Sequence, residues 1–178
     1  EPFFIIRLVS LSAYHDVGMK GISNVQVRKL IEVLKVYGKV FISAERNLPK
    51  EFEKYRLNIN PNDISHYLYF AKLFIGDSQT MTSEAAVLGT PSFRCNDFVG
   101  KISVMEEKEY KYGLSFNFPP YKFEDMLEKI NQLLLQENLE SEFIKKRDIM
   151  LNEKIDLSSF MIWLFENYSK IDFSNKID

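Results

Sequence analysis

Leu73 to Pro91 constrains this chain more than any other stretch. It predicts a buried strand that runs through a tight polar turn into a short helix. Leu73-Phe74-Ile75 is apolar and too short for a helix of its own. Gly76 and Asp77 end it. Ser78, Gln79 and Thr80 supply hydroxyl and amide groups where a helix would begin. Met81 to Leu88 favours helix, and Gly89 followed by Pro91 stops it. First-turn N–H groups lack partners inside a helix, and the helix dipole adds partial positive charge. A strand feeding such a terminus therefore suits an anion. Glu84 lies about one turn into the helix and suits hydroxyl groups better than phosphate. The plainer alternative is that Ser78 or Thr80 only caps the helix, with Glu84 a capping-box or surface residue.

The rest of the chain sets this segment in an alternating pattern. Phe3 to Leu11 is near-continuously apolar, as in a strand covered on both faces, with Arg7 as its one charge. Such a charge must be paired or face a polar cleft. Ser12 to Ser23 is a glycine-containing loop with His15, longer than the roughly 2–6 residues usual for such connections. Val27, Leu30, Ile31 and Leu34 share one helical face within Asn24 to Tyr37, capped by Ser23 or Asn24. Lys39 to Ala44 is a second strand. Tyr55 to Leu57 is read as a short third one. Asn58 to Asp63 is a loop, with Asp63 able to cap a helix from Ile64 to Ala71. Pro91 to Arg94 and Tyr112 to Phe116 are further strands, and Lys101 to Lys108 a helix. After Pro119-Pro120, helices are expected over Phe123–Gln136, Ser141–Leu151 and Leu157–Tyr168.

This order predicts an α/β, doubly wound (Rossmann-like) parallel sheet of about five or six strands. Helices cover both faces, and the C-terminal helices pack on the sheet. Residues 1–170 form a single domain and 171–178 a polar tail. Ligands in such sheets sit beyond the carboxyl ends of the strands, at a switch point in strand order. The loops at Ser12–Ser23, Glu45–Lys50, Asn58–Asp63, Asp77–Thr80 and Cys95–Gly100 should line that rim.

Composition narrows the chemistry. The 178 residues are 46% hydrophobic with a net charge of −2, enough for one core and without the basic excess that nucleic acid demands. A single Cys95 excludes an internal disulfide, and two histidines, His15 and His66, make a zinc site improbable. No metal or cofactor is expected. No run approaches the about 18 apolar residues of a membrane span, and Glu1-Pro2 does not open a signal peptide. A cytoplasmic setting is expected. The chain starts without Met and almost at once enters a strand, which suggests a piece of a longer protein.

Several familiar sites are absent. Gly18-Met19-Lys20-Gly21 fits neither the dinucleotide fingerprint nor the phosphate loop. Gly76-Asp77-Ser78-Gln79-Thr80 lacks the second glycine of a hydrolase elbow. A receiver domain could use Asp77 as its phosphorylated aspartate, yet no acidic pair follows the first strand.

What remains is a sugar-nucleotide site. Phe74 to Pro91, with its Gly-Asp-Ser turn, Glu84 and Leu88-Gly89-Thr90-Pro91, resembles the C-terminal domain of GT-B-fold proteins. It is most similar to the UDP-N-acetylglucosamine 2-epimerase group and related predicted glycosyltransferases. The resemblance implies phosphates at Ser78, Gln79 and Thr80 and a ribose at Glu84. It also implies a phosphate-binding role for Arg7 and a catalytic or phosphate-binding one for His15. The base would meet Asn58 to Asp63. Gln79-Thr80 stands where those epimerases carry glycine, and Glu84 has no second Glu beside it. The implied partners are a nucleotide sugar, UDP-linked by preference, and an N-terminal Rossmann-like domain outside this chain. The implied role is surface-polysaccharide biosynthesis, with the fragment alone inactive. The alternative is a binding module that keeps the fold and has lost the chemistry. Asp77 is expected to hold its loop and Cys95 to be buried packing. Phe160, Trp163 and Phe165 are read as core, or else, as the resemblance implies for a helix crossing to the other domain, as its contact.

Overall fold

A computed structural model describes residues 1–10 and 18–168. Five parallel strands form its sheet: β1 (Phe3–Leu8), β2 (Lys39–Ala44), β3 (Leu73–Gly76), β4 (Ser92–Cys95) and β5 (Ser115–Phe118). Their spatial order is β2-β1-β3-β4-β5. The order reverses between β1 and β3, so the switch point lies at their carboxyl ends. The doubly wound sheet expected from the sequence is present. Tyr55–Leu57 is not a strand of it: a 3-10 turn covers Lys50–Tyr55, and Arg56 makes only an isolated bridge to Ile42. Two strands begin later than read from sequence, β4 at Ser92 and β5 at Ser115.

The helices are α1 (Asn24–Leu34), α2 (Ile64–Phe70), α3 (Gln79–Leu88), α4 (Ser103–Glu106), α5 (Phe123–Leu134), α6 (Leu139–Asn152) and α7 (Leu157–Asn167). A π-turn, Glu107–Lys111, continues α4. α1 opens with a capping box. The Ser23 hydroxyl accepts the Gln26 N–H at 3.3 Å, and the Gln26 side chain accepts the Ser23 N–H at 2.8 Å. Asp63 does not cap α2. Its backbone is already helical, and Asn60 caps the preceding 3-10 turn by accepting the Asn62 N–H. α3 ends at Gly89, whose φ of 88° is the left-handed stop that suits glycine.

Two cores sandwich the sheet. The larger joins Phe4, Ile6, Leu8, Ile75 and Phe93 to the apolar faces of α1 and α5, with Leu139, Phe143 and Met150 of α6. The smaller joins Ile5 and Phe74 to Leu68 of α2 and Ala85 of α3. α5 and α6 thus pack as expected. α7 does not. It buries no residue, and Phe160, Trp163 and Phe165 are all exposed, Trp163 by 53%. Their assignment to the core is corrected: seven of the eleven residues of α7 are apolar and lie on most of its sides, so composition alone could not place it. No helix among the described residues is long and apolar enough to cross a membrane.

Candidate functional site

One row of paired residues crosses the sheet just before its carboxyl edge: Ser43, Arg7, Gly76, Arg94 and Asn117. Residues paired in register point to the same side, here the side that α2 and α3 cover. Gly76 separates two arginines. A side chain there would strike the Arg7 backbone and the Phe74 ring, so the strands close up only around glycine.

Arg7 pairs with Glu45 and donates to the Ser43 hydroxyl at 2.6 Å. The pairing that a charge in an apolar strand requires is therefore met through Glu45, just beyond β2. Its Nε remains buried without a hydrogen-bond partner.

Asp77 closes the switch-point crevice. It is 1% exposed, and its carboxylate accepts the Val9 N–H at 2.7 Å and the Ile22 N–H at 3.3 Å. Those two residues bracket the β1–α1 loop. His15 lies in that loop, outside the described residues. Gly21 runs so close that an added Cβ would overlap the Asp77 carboxylate. Arg46 stands 4.0 Å away and donates to the Ile22 carbonyl; the Asn96 side chain donates to the Asp77 carbonyl at 2.8 Å. Burial pushes the Asp77 carboxyl up to about 6, against the pull of the Val9 N–H and Arg46. Asp77, expected to hold its own turn, instead holds the two ends of the β1–α1 loop with its carboxylate. With both oxygens engaged and buried, it is not placed to be a receiver aspartate.

α3 begins at once after this clasp. Ser78 is its N-cap, accepting the Met81 N–H at 3.3 Å. The capping role is thus real for Ser78. Gln79 and Thr80 come before the first helical bond, from Thr82 N–H to the Ser78 carbonyl, and Thr80 is exposed. Their N–H groups sit where a first helical turn presents donors outward. Glu84 accepts the Ser65 hydroxyl of α2 at 2.5 Å. Ser65 stands two residues after the Asn58–Asp63 loop that leads into α2. Arg7, Ser78, Gln79 and Thr80 gather around the end of β3. Glu84 lies about one turn further along α3, at its contact with α2.

Sequence reasoning passed over Arg94, Arg46 and Asn96. Arg94 carried the same signal as Arg7, a charge within a short apolar strand. It is 0% exposed, and none of its three side-chain nitrogens has a hydrogen-bond partner. Glu106 approaches to 3.8 Å. Burial pulls the Arg94 pKa down, and Glu106 and Glu109 push it back. Glu109 accepts both the backbone N–H of Asn117 at 3.0 Å and its side-chain amide at 2.7 Å. Two glutamates thus fasten the α4 and π-turn segment to β4 and β5. Cys95 is packed as expected, its thiol pushed up to about 12 by burial. His66 is exposed on α2. No cluster of three or more metal-ligating groups occurs among the described residues.

Solved structures share this architecture. The calicheamicin glycosyltransferase CalG4 matches with a TM-score of 0.54 over 85% of this chain, at 13% identity. The spinosyn rhamnosyltransferase SpnG, solved with spinosyn aglycone, matches with 0.52 over 83%, also at 13% identity. The glycotransferase of kitacinnamycin matches with 0.51 over 80%, again at 13% identity. At that identity the likeness shows the fold. The chain spans 38%, 41% and 38% of those three structures, in the same order. No protein-family profile and no curated protein matches the sequence.

Proposed function

We propose that this chain is the nucleotide-sugar-binding domain of a two-domain glycosyltransferase or sugar-nucleotide epimerase, working in the cytoplasm on surface polysaccharide. The observation that carries the proposal is the placement of one segment. The β3–α3 turn sits at the switch point of a parallel sheet, with Arg7 beside it and Glu84 about one turn into the helix. In this reading the N–H groups of Gln79 and Thr80, with the Thr80 hydroxyl, meet a diphosphate. Glu84, which needs only one oxygen for Ser65, accepts from ribose hydroxyls. Arg7 adds positive charge, and His15 is assigned a catalytic or phosphate-binding role. The fold shared with three glycosyltransferase structures supports the assignment.

The partner in this reading is a second Rossmann-like domain, with α7 lying against it. Eight exposed apolar residues from Ile155 to Tyr168 support that contact. A turnover site would then lie between the two halves, and this chain alone would bind without reacting.

Calorimetric titration with UDP, UDP-N-acetylglucosamine and CMP tests the reading. UDP compounds are expected to bind, and Glu84→Ala to weaken them at least about tenfold. Absence of binding at millimolar ligand would overturn it.

A further inference from the structure

A cleft opens on the carboxyl rim, one loop away from the β3–α3 turn. Its volume is about 440 Å³, between the loop after β4 and the residues that join β5 to α5. Two tyrosines stand over it, Tyr110 with 78% and Tyr121 with 83% of their surface exposed. Asp97, Asp125 and Lys122 supply charges of both signs, and Asn117 lines the cleft as well.

Each wall is held in place. Asp97 accepts the Lys20 N–H at 2.8 Å and donates its own backbone N–H to the Lys20 carbonyl. Its loop is thereby tied to the end of the β1–α1 loop that Asp77 clasps at Ile22. Glu109 takes two hydrogen bonds from Asn117, which fixes the π-turn that presents Tyr110. Tyr121 lies in a 3-10 turn, Pro120–Lys122, and the Pro120 carbonyl accepts from the Gln26 side chain of α1 at 3.0 Å.

Asn117 is 7% exposed, and its amide oxygen is buried with no hydrogen-bond partner. A buried polar atom left unpaired costs free energy and calls for a donor. Both tyrosine rings stand exposed beside the carboxylates that line the cleft. A tyrosine ring offers a flat apolar face with a polar tip, and carboxylates and amides accept from hydroxyls. A pyranose needs both, a face of C–H bonds to lie on a ring and an edge of hydroxyls to bond outward.

We propose that this cleft is a carbohydrate subsite, with Tyr110 and Tyr121 as stacking platforms and Asp97, Asn117 and Asp125 as hydroxyl partners. Binding of a saccharide here does not depend on the nucleotide function proposed above. Only the identification of the sugar as an acceptor, or as the sugar end of a donor, rests on that reading.

Saturation-transfer NMR on the 178-residue chain tests it with chitobiose, maltose and mannobiose, each at about 10 mM, as a shallow subsite requires. At least one disaccharide should show transfer. Tyr121→Ala and Tyr110→Ala should each weaken it about tenfold, while Tyr121→Phe, which keeps the ring face, should stay within about threefold. Both tyrosines are exposed, so the variants should keep the wild-type circular dichroism. Transfer absent for all three sugars, or unchanged in the double alanine variant, overturns the proposal. UDP alone and UDP-N-acetylglucosamine separate the sources. Tyrosine-dependent transfer to free disaccharide marks an acceptor site. Tyrosine dependence seen with UDP-N-acetylglucosamine and absent with UDP marks the donor's sugar. UDP binding without any saccharide effect would leave the nucleotide function standing and this subsite refuted.

Discussion

The Asp77 carboxylate accepts the Val9 backbone N–H at 2.7 Å, which ties the end of β3 to the end of β1 through a buried acid. The same carboxylate takes the Ile22 N–H, so both ends of the loop bearing His15 hang on one side chain. The loop is longer than its neighbours, yet its two anchors cannot drift apart while Asp77 keeps both bonds.

This clasp has a pH signature. Asp77 titrates near 6 in the fold against an ordinary value of 3.8. Between those values the folded chain holds a proton that the unfolded chain has released. Stability from this group is therefore fully present below 3.8 and is lost as the pH rises through 6. The difference between those two values corresponds to about 3 kcal/mol. Asp77→Asn cannot titrate. Wild-type stability relative to the variant should fall by about that amount between pH 4 and pH 7. Chemical denaturation of both proteins across the range measures it. A difference that stays level with pH would show that Asp77 titrates normally.

Arg94 and Glu106 should respond unequally to substitution. Arg94 is wholly buried with three unpartnered nitrogens, whereas the Glu106 side chain keeps 23% exposure and also accepts the Gly100 N–H. Arg94→Met removes a costly buried charge and leaves a glutamate that water can reach. It should be neutral or stabilising by about 1 kcal/mol. Glu106→Gln strips the guanidinium of its nearest counter-charge and should cost about 3 kcal/mol. Urea midpoints of the two variants decide, and a reversed order would mean that ordered water or an anion already satisfies Arg94.

Arg7 and Arg94 also show where the sequence was legible and where it was not. Alternating apolar strands and amphipathic helices announced the parallel sheet, because burial on both faces demands that pattern. The Ser78 cap and the Gly89 stop were legible from local chemistry. Arg7 stood out as a charge in an apolar strand; Arg94 had the same mark but lay at a strand's end, where a polar residue attracts no notice. Register alone sets the two on either side of Gly76, and register is a tertiary property. The Glu84–Ser65 contact joins two helices across 19 positions, beyond any local rule. α7 misled because a helix with apolar residues on most of its sides looks the same whether buried in its own domain or set against another.

Ser78 and Thr80 should separate the structural role of the helix terminus from its binding role. Ser78→Ala loses the bond to the Met81 N–H and should cost about 1 kcal/mol of stability. Thr80 is exposed and makes no cap, so Thr80→Ala should leave thermal unfolding unchanged. If the α3 terminus meets a diphosphate, the same Thr80→Ala should weaken UDP by about threefold or more. Melting curves and titrations on the two variants give the comparison. Unchanged UDP affinity in Thr80→Ala would confine this hydroxyl to the surface.

α7 offers the sharpest contrast in stability. Trp163 and Phe165 lie on a helix with no buried residue, whereas Phe143 of α6 is 0% exposed and sits in the main core against Phe116. Large apolar side chains normally cost about 3–5 kcal/mol when cut to alanine, but only where burial stabilises them. Phe143→Ala should meet that range. Trp163→Ser with Phe165→Ser should change unfolding free energy by less than about 0.5 kcal/mol. The paired variant should instead lower self-association, since it removes two of the largest rings from an exposed apolar surface. Urea denaturation and sedimentation velocity test both statements. A loss near that of Phe143→Ala in the α7 variant would mean that the helix packs on its own domain in solution.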